Sequence, residues 1–364
     1  MEKEAILQAA EEAWGVASFD LPEDFMTREH FVRSVRSLDW TSSPGYPWMT
    51  RASNNGQLFK AVDGQPSEEK VDEFWQIVQD RLSYRDSDPI RLFVKAEPHK
   101  LKKLEAGRYR LISSVSVVDQ LIDHMLFGTM NDKLKDHWMD VPSKIGWSPV
   151  WGGWRAMPRK SKWMALDKSG WDWTVNTWLV DMVIELRQRL CRDGPHKERW
   201  TELMEWRYRE LFLSPHFITS GGYLLRQRRP GVMKSGCVNT ISDNSMMQHL
   251  LHLRVCFAMD ETPDSIICMG DDTLQKPLRR VDEYLELMGT FCKVKQVIMA
   301  NEFAGFRFEG ARVEPLYKGK HAYVLLHVDD EVKQQVADSY LLNYHRSAYR
   351  NIMEDLFHKM GVSV

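Results

Sequence analysis

The sequence predicts an α+β fold, and three observations predict it. An apolar run, Ser265-Ile266-Ile267-Cys268-Met269, stops at Gly270-Asp271-Asp272 and resumes as Thr273-Leu274-Gln275. That pattern reads as a β-hairpin with two adjacent carboxylates at its turn. Between Asn176 and Leu190, the residues Leu179, Met182, Val183, Leu186 and Leu190 share one side of a helix. Beyond Arg280, helix and strand patterns alternate in short segments. A chain of 364 residues can bury a large core and is long enough for two or three domains.

From the N-terminal side, Met1 to about Ala13 has the pattern of an amphipathic helix that packs on the body. Ser42-Ser43-Pro44-Gly45-Tyr46-Pro47 is a rigid loop, because two prolines and a glycine exclude regular structure. Gln57 to Glu69 is polar and turn-rich, and a helical pattern follows through Leu82. Lys162 to Asp167 reads as a buried strand ending on a carboxylate. The loop Pro230 to Gly236 leads into a long helix from about Cys237 to Val255, with Ser235 and Gly236 as its cap. Arg280 to Met288 is helical, with Gly289 in the C-terminal capping position. Lys293 to Met299 and Phe303 to Phe308 read as strands, and a strand near Arg312 to Tyr317 makes a hairpin with the second. Glu331 to about Met360 is mostly helical. There is no internal repeat.

The formal charge of −2 excludes a uniformly basic coat. Positive charge is instead concentrated in segments. One holds Arg91, Lys95, Lys100, Lys102, Lys103, Arg108 and Arg110, opposed only by Glu97 and Glu105; a second holds Arg155, Arg159, Lys160 and Lys162; a third holds Arg226, Arg228, Arg229 and Lys234. Such segments in a neutral chain suggest an internal channel for a polyanion. Fourteen tryptophans are read as core fillers. The five cysteines form no CxxC pair and no metal-ligand spacing, which predicts buried thiols in a reducing compartment. No segment resembles a signal peptide or a transmembrane span.

Asp167 ends a strand and Asp172 follows five positions later. Phosphoryl transfer requires carboxylates from separate elements to grip divalent metal. Asp167 and Asp271 supply that pair if their strands are neighbours. Thr240 and Asn244 are four apart and share a helix face, where a hydroxyl and an amide can meet a ribose.

Asp-x4-Asp, Ser-Gly-x3-Thr-x3-Asn and Gly-Asp-Asp, in this order, resemble the RNA-dependent RNA polymerases of positive-strand RNA viruses, most closely the sobemovirus and polerovirus-related group. Lys95 to Lys100 with Gly107 to Ile112 resembles the basic fingertip motif. Ser43 to Pro47 resembles the template-entrance loop, Glu283 to Lys295 the helix-turn-lysine motif, and Glu302 to Phe308 the primer-grip hairpin. Together these motifs span roughly residues 43 to 308.

The resemblance implies a right-hand polymerase, α+β, with an antiparallel palm sheet backed by helices and a short helical thumb. Its divisions would be residues 1–161 for the fingers with an N-terminal extension, 162–190 for the first palm segment, 191–230 for a fingers insertion, 231–308 for the second palm segment and 309–364 for the thumb. Asp167 and Asp271 would hold two Mg²⁺ ions, replaceable by Mn²⁺, with Asp272 assisting. Asp172 and Asn244 would read the 2′-hydroxyl, with Ser235 and Thr240 shaping that network. Lys95, Arg108 and Arg110 would neutralise the triphosphate. Lys293 or Lys295 would protonate pyrophosphate, and Ser43, Pro44, Gly45 and Gly236 would meet the template. The implied partners are template and nascent RNA, ribonucleoside triphosphates and other viral replication proteins, in host-cell cytoplasmic replication complexes. A reverse transcriptase or a catalytically inactive RNA-binding palm are the alternatives. The first normally carries Tyr-x-Asp-Asp where this chain has Met269-Gly270-Asp271-Asp272.

Overall fold

The computed structural model describes residues 2–158 and 161–363, and its strands are short segments placed among helices. The strands are β1 (Ile90–Val94), β2 (Leu111–Ser114), β3 (Met164–Lys168), β4 (His216–Thr219), β5 (Leu224–Arg226), β6 (Ile266–Met269), β7 (Asp272–Gln275), β8 (Val294–Ile298), β9 (Glu302–Phe303), β10 (Phe306–Glu309) and β11 (Arg312–Pro315). They form three sheets among the described residues, in the orders β2-β1-β4-β5, β6-β7-β3-β8 and β11-β10-β9. The second is antiparallel throughout. In the first, β1 and β4 run parallel, so the chain segments around residues 90 and 216 share one sheet.

The helix Thr240–Ala258 backs the second sheet through β6 and touches the helices Glu2–Trp14, Thr177–Leu190 and Val281–Gly289. It is buried on nearly every face, including polar residues from Ser242 to Ser245. Burying a charge there requires a partner. Arg187 donates to Asp243 at 2.7 and 3.2 Å and to Ser242 at 3.1 Å, while Tyr208 Oη donates to Asp243 at 2.9 Å. A second buried pair, Arg207 with Asp123 at 2.7 Å, ties the helix Lys197–Phe212 to the helix Val117–Asp136. Trp14 Nε1 donates to His249 Nδ1 at 3.1 Å, anchoring the first helix in the same core. The helices Lys318–Leu326, Lys333–Tyr344 and Arg350–Lys359 enclose a separate small core of Leu325, Ala337, Tyr344, Met353 and Phe357.

Most expected elements lie where the pattern puts them, with instructive differences. The long helix begins at Thr240 after a turn, and Ser235 does not cap it; Ser235 Oγ instead accepts from Ser113 N at 3.1 Å. Gly289 is the last helical residue and Thr290 takes the capping position, in right-handed geometry. Phe303 to Phe308 is not one strand, because Ala304 and Gly305, at φ +50° and +81°, turn the chain between β9 and β10. The helix Val117–Asp136 was not expected. Core residues surround it, so it shows no apolar stripe.

Burial decides how much each of these charged groups matters for stability. Arg187→Met leaves Asp243 buried without its cation and should cost about 3–5 kcal/mol in urea unfolding. Glu4→Ala, which removes an exposed partner of Arg189 at 2.8 Å, should leave the urea midpoint essentially unchanged. Burial also holds His249 at about 3 and His252 at about 4, so both are neutral when folded. Unfolded histidine takes up protons near ~6.5, so this stability is complete above that pH and is lost as pH falls toward 4. The urea midpoint should therefore fall below pH 6.5, and less steeply in His252→Gln.

Candidate active site

The sheet register gathers the carboxylates. β3 and β7 pair through Leu166 and Thr273, so Asp167 and Asp272 emerge at the same end of neighbouring strands. The β6–β7 turn is formed by Gly270 and Asp271, with Gly270 at φ +66°, a conformation that costs glycine little. Asp272 is therefore the first strand residue rather than a turn residue. Its carboxyl is pushed up to about 6, first by desolvation in the groove and then by the charges of Asp271 and Asp167. Asp272 thus feels both of the other carboxylates.

Among the described residues no three His, Cys, Asp or Glu side chains are already drawn together as a metal cage. A lysine explains part of this. The β3–β8 ladder slips between Asp167 and Lys168, pairing them with Gln296 and Val294 and leaving Lys295 as the extra residue. Bulges of this kind re-aim a side chain. Lys295 Nζ lies 2.5 Å from Asp167 Oδ2, and the contact raises the lysine's pKa. The donor set nonetheless fits a hard divalent cation, since it consists of carboxylate oxygens, with Asp272 disfavoured as an anion by desolvation and by its two neighbours. Lys293 is exposed, and its carbonyl accepts from Ser169 N at 2.8 Å.

Beside the carboxylates, Trp171 Nε1 donates to Asn244 Oδ1 at 2.9 Å and Asn244 Nδ2 donates to Asp172 Oδ1 at 3.0 Å. An indole nitrogen can only donate, so it orients the amide. Desolvation raises the Asp172 carboxyl, the Asn244 bond opposes this, and Asp271 and Arg110 act on it with opposite signs. Thr240 does not present a free hydroxyl; Oγ1 donates within its own turn to Lys234 O at 2.8 Å and Cys237 O at 2.9 Å.

Several residues that the motifs did not single out support the turn. Ser245 Oγ accepts from Gly270 N at 2.9 Å, and Gln248 Nε2 reaches Asp271 O at 3.5 Å. Their spacing with Ile241, near Gly270, marks one helix face and was the available signal. Lys168, buried behind the carboxylates, donates to Thr273 Oγ1 at 3.1 Å. Tyr317 faces a cavity of about 450 Å³ that also includes Asp167, Asp272, Lys295 and Glu302.

The segment Leu111 to Val117 receives both glycine loops. A Cβ on Gly236 would stand 2.4 Å from Ser113 O, and one on Gly45, at φ +70°, 2.6 Å from Val115 O. Pro44 O accepts from Val117 N at 2.8 Å, and Ser43 Oγ accepts from Gly45 N at 3.4 Å. In the basic hairpin, Lys95 N donates to Arg110 O at 2.8 Å. Glu97 pairs with Lys95 at 3.2 Å and with Arg110 at 3.3 Å, while Arg108 is exposed.

The other basic segments depart from the expected channel. Lys234 is buried, donating to Gly231 O and Val232 O with Phe212 and Phe217 nearby, and burial lowers its pKa to about 7. Arg226, Arg228 and Arg229 are exposed at or just beyond the edge strand β5. Arg155 stacks over Trp154, and Arg159 and Lys160 lie outside the described residues.

The family model for viral RNA-dependent RNA polymerases matches residues 24–295. Protein P1-P2 of Pea enation mosaic virus-1 is 30% identical, over 91% of this chain and 29% of its own length. The RNA-directed RNA polymerase of Mushroom bacilliform virus is 30% identical, over 76% of this chain and 71% of that protein. The replicase polyprotein P2AB of Southern cowpea mosaic virus is 36% identical, over 57% of this chain and 21% of that protein. The chain thus spans less than a third of the length of the first and third of these relatives. They are of the sobemovirus and polerovirus type that the motif order resembles. Among solved structures, the Sicinivirus 3Dpol RNA dependent RNA polymerase superposes with a TM-score of 0.69 at 16% identity, covering 97% of this chain and 78% of that one. This likeness shows the right-hand α+β fold.

A divalent cation at Asp167 would have to displace Lys295. Lys295→Met should therefore bind Mn²⁺ severalfold more tightly by calorimetry, while Asp271→Asn should bind it more weakly. Equal affinity in Lys295→Met and the parent chain would remove the lysine from this role.

Proposed function

Because the chain belongs to the viral RNA-dependent RNA polymerase family, we propose that it catalyses template-directed RNA synthesis from ribonucleoside triphosphates, replicating a viral RNA genome. The observation that carries this is the meeting of Asp167, Asp271 and Asp272 at one sheet end beside the Asp172–Asn244 pair. The family works with divalent metal. We assign two Mg²⁺ ions, replaceable by Mn²⁺, to Asp167 and Asp271, with Asp272 in support. Bound there, the ions would activate the attacking 3′-hydroxyl and offset charge on the triphosphate.

The protein's own groups would do the rest. Asp172, its geometry held by Asn244 and Trp171, accepts from the incoming 2′-hydroxyl. Ser235, Thr240 and Gly236 keep the loop beneath that pair in register with Ser113. Lys95, Arg108 and Arg110 draw the triphosphate to the mouth of the site, and Glu97 holds two of them until it arrives. Lys295, within reach of the carboxylates, is released from Asp167 to donate a proton to pyrophosphate, with Lys293 as the second lysine of that strand entrance. The cavity bearing Tyr317 seats the 3′-end of the growing strand. The loop Ser43, Pro44 and Gly45 guides the template.

We assign residues 1–161 and 191–230 to the fingers, 162–190 and 231–308 to the palm and 309–364 to the thumb. The β2-β1-β4-β5 sheet supports joining the first two segments, and the separate C-terminal core supports the last. The partners we assign are template and nascent RNA, nucleotides and, since several relatives are longer polyproteins, other viral replication proteins. Five free buried thiols suit the host-cell cytoplasm, within replication complexes. No helix among the described residues is long and apolar enough to cross a membrane.

Three measurements test this reading. Asp271→Ala should abolish nucleotide incorporation and leave RNA affinity measurable; full activity would refute the metal site and favour a role without catalysis. On an RNA primer-template, labelled UTP should be used far better than dTTP, and the reverse preference would identify a reverse transcriptase. Asp172→Ala should erode that preference by about a hundredfold or more.

A further inference from the structure

From Leu211 to Ser242 the chain contains no acidic residue, yet it carries Arg226, Arg228, Arg229 and Lys234. Lys234 is consumed in the interior, and the three arginines face solvent. No ion pair engages them among the described residues; Arg226 reaches only Ser214 Oγ, at 3.4 Å. Next to them the β4–β5 hairpin exposes Tyr223 (73%), Leu224 (67%) and Leu225 (48%), with Leu213 (49%) alongside. Neighbouring residues on a strand point to opposite faces, so two exposed leucines in sequence mean that neither face of β5 is covered. Soluble surfaces seldom gather such apolar groups without a use for them.

The hairpin turn is held in shape by bonds of its own. Thr219 N donates to Tyr223 O at 3.0 Å, Gly222 N to Thr219 O at 3.0 Å and Tyr223 N to Thr219 Oγ1 at 3.2 Å. The rest of the tip and the outer edge of β5 keep open backbone groups, so the hairpin suits the hydrated headgroup level rather than the hydrocarbon interior. We propose that this hairpin docks the protein on an anionic lipid surface, with Tyr223, Leu224 and Leu225 at the headgroup–acyl boundary and Arg226, Arg228 and Arg229 on the headgroups.

Charge complementarity and the leucines decide the occupant. An RNA strand would use the arginines but gains little from leucine, which has no ring to stack on a base. An interfacial segment uses both, apolar area for insertion and arginine for anionic headgroups. β5 lies at the opposite edge of its sheet from β2, three strand spacings or about 14 Å away. Since β2 is the strand that receives the Ser235–Gly236 loop, docking through β5 leaves the active site open.

Co-flotation with phosphatidylcholine vesicles, with and without phosphatidylserine, tests this on the purified chain. Binding should require phosphatidylserine and weaken with salt. Each arginine contributes roughly fivefold, so replacing Arg226, Arg228 and Arg229 together with alanine should lower partitioning about a hundredfold. Leu224→Ser with Leu225→Ser should lose vesicle binding, with an unchanged circular dichroism melt and unchanged RNA primer extension. Equal partitioning onto both vesicle types, no partitioning, or variants that float like the parent would overturn the proposal. So would an arginine variant that loses RNA affinity but still binds vesicles, which would assign the patch to RNA.

Discussion

The working parts of the site depend on the rotational setting of one helix. Thr240–Ala258 sends Asn244 toward Asp172, Ser245 toward Gly270 and Gln248 toward the Asp271 carbonyl, so a small turn about its axis would disturb all three. What prevents such a turn is Asp243, immediately before Asn244 and pointing the other way into Arg187 and Tyr208. A fully buried ion pair contributes little net stability, but its geometry is demanding, because any misalignment leaves a charge unpaired in a medium of low polarity. The interaction acts as a key in a slot, and the carboxylate turn inherits its position from that key.

A second constraint braces two glycine loops against the end of β2. Ser113, Ser114 and Val115 meet the backbones of Gly236 and Gly45 at distances that leave no room for a side chain. Two loops that sequence alone could only describe as rigid or flexible are thus braced against the same short segment. Because Arg110 is the residue before β2 and its charge acts on Asp172, that arginine and the Asp172–Asn244 pair share a common foundation. The lysine bulge at β8 adds an internal cation at the one place where carboxylates crowd.

Chemistry with local spacing was legible in the sequence. Asp167 with Asp172 and Gly270 with Asp272 declare themselves because strand ends and tight turns need few residues to define. The helix Thr177–Leu190 was equally plain, since one of its faces meets the core. Val117–Asp136 was hidden for the opposite reason, being surrounded by protein and so without a polar face to set the period. Lys234 reads as a channel lysine until its carbonyl and aromatic partners are known. Lys295 owes its reach to a ladder slip, and no residue pattern announces which position a bulge will take. Long-range register and burial on all sides are the two properties that a linear pattern carries least well.

The bond between Trp14 and His249 joins residues 235 positions apart. At about 5–20 residues per second, ribosomal synthesis separates them by roughly 10–50 s. During that interval Ile6, Leu7, Ala10 and Trp14 have no complete groove to enter, because Thr240–Ala258, which packs on their helix together with Thr177–Leu190, has not yet been made. The nascent chain must therefore carry an incompletely covered apolar helix until residue 249 and its helix have been made. Cellular factors that hold such helices in check would govern the yield of folded protein as much as any contact in the finished site.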